Sequence, residues 1–202
     1  PKRDWSSDVC SSDLGVGKLS DLIALVKQKP GLSYATSGVG SQQHMAAEWF
    51  GQLAGIKLEH VPYRGGGQAI NDLLAGHITL ASLGSTPLIP HYKAGALKLL
   101  AQSTAERSPS IPDVPTYKES GVAMVLDQWL GAFVPTGTPT AIVARLNTEM
   151  NKALQDAAVR KVFTDSAQEP VGGTAEQFSK LVHEDFGKYE KLVRELNIKV
   201  AN

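Results

Sequence analysis

The strongest constraint on this chain is a rhythm that starts at Leu32. A short β-rich run is followed by a glycine-bearing turn and a helical stretch, and then the pattern repeats. LSYAT (Leu32–Thr36) leads through SGVGS into QQHMAAEWFGQLAG, where Met45, Ala46, Trp49, Phe50 and Leu53 share one helical face. Gly55 suits the left-handed position after that helix. KLEHVPY (Lys57–Tyr63) leads through RGGG into a helix carrying Ala69, Ile70, Leu73 and Leu74, ended by Gly76. ITLASLG (Ile78–Gly84) and LKLLAQST (Leu97–Thr104) are further strands, with a short helix over Pro87–Ala94 between them. Ahead of the first strand, Leu19, Leu22, Ile23, Leu25 and Val26 form a helical face stopped by Pro30-Gly31. Strands that alternate with helices predict an α/β fold: a largely parallel sheet covered on both faces.

The texture changes after Ser103. RSPSIPDVPTYKESG reads as a surface connection, and VLDQWLGAFVPTGTP as an extended crossing segment. Long helices follow. Thr138 is expected to cap the first, with Pro139 at its first position and Ile142, Val143, Leu146 and Met150 turned inward. Thr174 and Gln177 make a capping-box pattern for the last, which runs from Phe178 past Leu196. A boundary is placed at 122/123. Helices with broad apolar faces need a partner surface. The C-terminal part has almost no strands of its own, so that surface is expected in sequence upstream of this chain.

The first residues do not follow the rhythm. DWSSDVCSSDL (Asp4–Leu14) has no period that would bury a face, and it holds the single cysteine, Cys10. Written as codons it matches the end of a common short-read sequencing adapter, with Arg3 completing the frame. Residues 1–14 are therefore read as a non-native, adapter-derived tail and set aside; the alternative is a natural polar tail. On the adapter reading, residues 15–122 form one α/β domain lacking its entering strand. No cysteine then remains for a disulfide, a thiolate metal site or a nucleophile.

A formal net charge of zero gives no global attraction to nucleic acid or anionic membrane. Any anion site must be local, and the best local candidate is SGVGS. A strand ends, glycines let the backbone turn, and the first amides of a helix point outward with the helix dipole behind them. Ser37, Gly38, Gly40 and Ser41 can cradle a carboxylate or phosphate there; equally, they can be a tight turn with Ser41 as a cap. Arg64 in RGGG can offer a fork to a carboxylate or lie in solvent. Gly84 and Ser85 sit at a third strand end. Open α/β sheets bind ligands at that edge.

Other chemistry fares worse. Gly38-Val39-Gly40 begins a dinucleotide fingerprint, with Glu59 near the place of its ribose acid, but Gln43 occupies the third glycine position. There is no nucleophile elbow. His44, His60, His77, His91 and His183 show no metal-ligand spacing. His44 lies one turn into the glycine-loop helix and faces either a ligand or the core. Trp129 either walls a pocket or packs in a core. No catalytic residue, metal or cofactor is expected.

Taken together, LSYATSGVGSQQHMAAEWF, HVPYRGGGQAINDLLAGHITL, RSPSIPDVPTYKESG, GAFVPTGTP and QEPVGGTAEQF resemble the periplasmic solute-binding receptors of tripartite tricarboxylate transporters, the Bug type. The resemblance runs from about Leu19 to the end. It implies a type II periplasmic binding protein-like fold: two α/β domains with a hinge and a small carboxylated solute between them. Residues 15–122 would be the second domain, and 123–202 would return to an incomplete first domain. Ser37, Gly38, Gly40 and Ser41 would touch the solute, with Gly84 and Ser85 lining the same cleft. It further implies a non-enzymatic, periplasmic receptor whose signal peptide has been lost, monomeric when complete and engaging the transporter's membrane subunits. The alternative is the effector-binding domain of a LysR-type transcriptional regulator; a nicotinamide-dependent enzyme is a third class. As it stands, the chain is expected to bind solute weakly or not at all, and to aggregate.

Overall fold

The computed structural model describes residues 7–11, 14–166 and 168–198. Five strands form one sheet: β1 (Ser7–Ser11), β2 (Ser33–Thr36), β3 (Glu59–Pro62), β4 (Leu80–Gly84) and β5 (Lys98–Ala101). Their spatial order is β3-β2-β4-β1-β5. β2 runs parallel to both β3 and β4, while β1 lies antiparallel between β4 and β5. The expected strands form within a residue or two, except that β5 stops at Ala101, three residues short of the expected Thr104, and their parallel arrangement follows from the helices between them. These are α1 (Leu19–Gln28), α2 (Gln42–Ala54), α3 (Gly66–Leu74) and α4 (Ser85–Lys93).

Alternation along the strands divides the core. Tyr34 and Leu80 pack with Leu19, Leu22, Val26 and Phe50 from α1 and α2 on one face. Their neighbours Ala35 and Ala81 turn to the other face, against Ala69, Leu73 and Leu88 from α3 and α4. Each fully buried leucine here contributes on the order of 2 kcal/mol. Gln102 is fully buried beyond β5 and ties down the proline-rich connection. Its amide donates to the carbonyls of Ile111 and Val114, and its side-chain oxygen accepts from the Ser108 amide.

Two local readings need correction. First, no element was expected before Gly15, yet β1 occupies the gap between β4 and β5. The reason is backbone chemistry. Two strands on either side offer unpaired N–H and C=O groups, and an extended segment tethered nearby satisfies them without a hydrophobic period. Arg3–Leu14, the stretch read as adapter, otherwise lies outside the described residues except for Leu14. Second, Thr138 does not cap the next helix. That helix is α5 (Thr140–Ala153), its N-cap is Pro139, and the Thr138 hydroxyl donates to Pro135 O at 2.8 Å instead.

Two more helices follow, α6 (Ala157–Asp165) and α7 (Ala175–Glu195). The capping box forms as expected: Thr174 Oγ1 accepts from the Gln177 amide, and Gln177 Oε1 accepts from the Thr174 amide. The inward placement of Ile142, Leu146 and Met150 does not hold. They are 50%, 45% and 47% exposed, and among the described residues no surface covers that side of α5. Leu130, Phe133 and Phe186 are more exposed still. α7 is anchored instead through Leu192 and through Tyr189, whose hydroxyl meets the Gln42 side chain at 2.8 Å.

Candidate functional site

The order β3-β2-β4 places the carboxyl ends of three parallel strands side by side. The loops after them are those carrying Ser37–Ser41, Arg64–Gly65 and Gly84–Ser85. Tyr63 donates its amide to Thr36 O at 3.1 Å, which ties the second loop to the first. A Cβ on Gly84 would meet Gln43 Nε2 at 3.9 Å, which places the third loop beside the first.

The 37–41 loop has a defined shape. Gly38 and Gly40 adopt φ of 137° and 74°, conformations that side chains of L-residues rarely take. Ser41 is the N-cap of α2: its Oγ accepts from the His44 amide at 3.2 Å and donates to Gly38 O at 2.7 Å. The cap reading of Ser41 therefore holds, and its hydroxyl is committed within the loop.

The two glycine amides are committed as well. Gly38 N–H donates to Thr36 Oγ1 at 3.1 Å, and Gly40 N–H donates to His44 Nδ1 at 3.2 Å. Among the described residues, the amides of Val39, Gln42 and Gln43 make no hydrogen bond here. The unbonded amides thus belong to Val39 and the first turn of α2, and the glycines supply the curvature of the turn.

Gln43 connects the loop to its surroundings. Its side-chain oxygen accepts from Ser37 Oγ at 3.0 Å, its amide group points at Gln128 Oε1 3.5 Å away, and its carbonyl accepts from Ser82 Oγ. Gln42 reaches Asp127 O at 2.7 Å. The crossing segment is pinned here too, through two bonds exchanged between Ser103 and Leu126. Sequence reasoning treated Gln43 only as the residue that spoils a dinucleotide fingerprint. Its place two residues past the cap was the signal that it could turn back over the loop.

Beneath the loop lies a polar cluster that sequence reasoning missed. His44 is buried and its ring stacks on His60, with centroids 3.8 Å apart and planes 13° from parallel. His60 Nε2 lies 2.7 Å from Thr36 Oγ1, and Tyr34 stacks on its ring. Tyr34 donates its hydroxyl to Glu48. Burial lowers the pKa of His44, with Glu48 acting weakly the other way. Burial and the neighbouring His44 push His60 down to about 4. Burial and the Glu48 bond raise Tyr34 well above the ordinary phenol range. His44 thus faces the core rather than a ligand.

Arg64 is exposed and makes no hydrogen bond or ion pair among the described residues. Ser85 is buried at the start of α4, and its neighbour Thr86 donates to Ser166 O. Trp129 is half-buried: its indole donates to Asp185 at 2.6 Å, and its ring meets Phe178 edge-on. Among the described residues, no group of three or more His, Cys, Asp or Glu is arranged to hold a metal, and no helix is long and apolar enough to cross a membrane.

Residues 7–198 match the tripartite tricarboxylate transporter family receptor, TctC. The chain belongs to this receptor family. The tricarboxylate transporter receptors are transport binding proteins, which agrees with the expectation of no enzymatic activity and displaces both the regulator and the dehydrogenase alternatives. BugT of Bordetella pertussis is 33% identical over 195 residues, covering 95% of this chain and 60% of BugT. A protein from the tcbD–tcbE intergenic region of Pseudomonas is 30% identical, with 57% of its length covered. This chain therefore spans about three fifths of the length of these relatives. Among solved structures, an R. palustris protein with adipate superposes with a TM-score of 0.91 at 30% identity, covering 98% of this chain and 67% of that one. A protein described as a periplasmic transporter gives 0.90 at 31% identity, with the same coverage. MatC from Rhodopseudomonas palustris with bound malate gives 0.83 at 27% identity, covering 95% and 67%.

Proposed function

We propose that this chain is the ligand-gripping part of a periplasmic receptor that captures a small di- or tricarboxylate for a tripartite transporter. One observation carries the reading: three loops meet at the carboxyl ends of β3, β2 and β4, and at their centre the first turn of α2 presents unbonded amides. A helix N-terminus favours negative charge, and backbone amides bind a carboxylate without transforming it. That two proteins of similar structure are seen with adipate and malate supports the ligand class. Ser37, Gly38, Gly40 and Ser41 shape the cradle, with Gly84, Ser85 and Arg64 at its margins. Val39, Gln42 and Gln43 supply the donors.

Residues 15–122 form the second domain of this receptor on our reading, and residues 123–202 return to the first. The hinge lies in the crossing segment near Asp127–Trp129. Domain closure would bury the solute and present a new surface to the transporter's membrane subunits. The exposed apolar side of α5 and the 130–134 segment fits a helical layer whose sheet lies elsewhere in the receptor. Isothermal titration is the test, using the receptor extended to the length of its relatives, with adipate, malate and a monocarboxylate control. Binding of a dicarboxylate without turnover supports the reading; product formation, or no binding of any acid, defeats it.

A further inference from the structure

We propose that His44 and His60 are positioning residues that set the shape of the 37–41 loop while neutral and release it when His44 takes up a proton. The proposal rests on the carboxylate reading only for what the loop is for. An amide N–H can only donate, so His44 Nδ1, 3.2 Å from Gly40 N, must be the acceptor. The ring proton then sits on Nε2, which faces Glu48 Oε1 at 3.9 Å. Thr36 holds the other end of the loop. Its hydroxyl lies 3.1 Å from Gly38 N, 3.2 Å from Gly38 O and 2.7 Å from His60 Nε2. All three contacts are made when it donates to Gly38 O and accepts from the Gly38 amide and from His60 Nε2–H.

A proton on His44 Nδ1 breaks this arrangement. Acceptor becomes donor, and two N–H groups then point at one another across the Gly40 contact. The stacked partner opposes a second charge in the same small space. The groups around the pair are few. Glu48 on α2 and Tyr34 on β2 touch it, and Tyr34 is itself bonded to Glu48. β4 turns Ser82 toward this end of α2, and α7 brings Tyr189, which is bonded to Gln42. Lys57 and Glu195 line a groove beyond Glu48. Glu48 is therefore the one carboxylate in contact with the pair among the described residues, and it already accepts the hydrogen bond of the Tyr34 hydroxyl.

The test is amide hydrogen exchange resolved at Gly40, corrected for intrinsic rates, on the full chain from pH 8 to pH 4. No ligand is needed, so the outcome is independent of the carboxylate reading. Protection of Gly40 should fall about fivefold to tenfold as His44 protonates, the equivalent of one hydrogen bond, while Ala35 and Ala81 in the sheet stay protected. His44→Asn places a non-titrating acceptor near the same position and should flatten the profile. The wild-type chain also carries the test alone: the Nδ1 nitrogen shift of His44 and the Gly40 protection must change with one midpoint. Protection of Gly40 that ignores His44 protonation, or that falls equally in His44→Asn, overturns the proposal.

Discussion

The ring of His44 lies flat on the ring of His60, 3.8 Å away, directly under the turn that joins β2 to α2. Both histidines bind protons less readily in the folded chain than in the unfolded one, where the ordinary value is 6.5. Acid therefore favours the unfolded chain. The contribution of the pair is fully present above about pH 6.5 and is lost as pH falls toward about 4, the folded value of His60. Urea unfolding at stepped pH should show this decline, and His60→Asn should have a shallower slope across the same window. An equal slope in the variant would place the acid sensitivity elsewhere.

Gly40 holds φ of 74°, in the left-handed region that L-residues rarely adopt. Gly40→Ala should therefore cost about 1–2 kcal/mol through backbone strain alone. Chemical denaturation with an unchanged m-value would register this as a shift in midpoint. A midpoint within error of the wild type would mean that the turn adopts another shape in solution.

Leu130, Phe133 and Phe186 are 71%, 68% and 71% exposed, in the same part of the chain as the open side of α5. Large apolar side chains exposed in this way drive association. Sedimentation velocity should show mass rising with concentration, and Phe133→Ser with Phe186→Ser should reduce it. A chain that stays monomeric at high concentration would contradict the prediction.

β1 is held by backbone pairing on both sides, with Val9 opposite Ser82 and Ala101. Reordering Ser7–Ser11 while keeping its length should change stability little. Val9→Pro removes an N–H from a central strand and should destabilise the chain by several times as much. Equal effects from the two changes would mean that the native side chains, and not the strand's hydrogen bonds, hold this position.

Much of the fold was legible because its signals are local. The strand runs at Ser33–Thr36 and Leu80–Gly84, the Ser41 cap, the Gly55 left-handed stop and the Thr174 box each depend on residues a few positions apart. The His44–His60 pair was not legible, since the two lie on different elements and meet only through the β2–β3 register, which sets Tyr34 opposite His60. β1 was invisible because backbone pairing leaves no hydrophobic period. The inward reading of α5 failed for a related reason. An apolar stripe states that a helix needs cover, and it says nothing of whether the cover is present.

The central claim is that the turn from β2 into α2 grips a carboxylate through amides whose direction is fixed by the glycines. Calorimetric titration of adipate and malate into the receptor at the full length of its relatives, wild type against Gly40→Ala, tests it most directly. The account predicts that at least one of these acids binds and that the variant loses roughly tenfold or more in affinity, about 1.4 kcal/mol. Undiminished affinity in a folded Gly40→Ala receptor would contradict it.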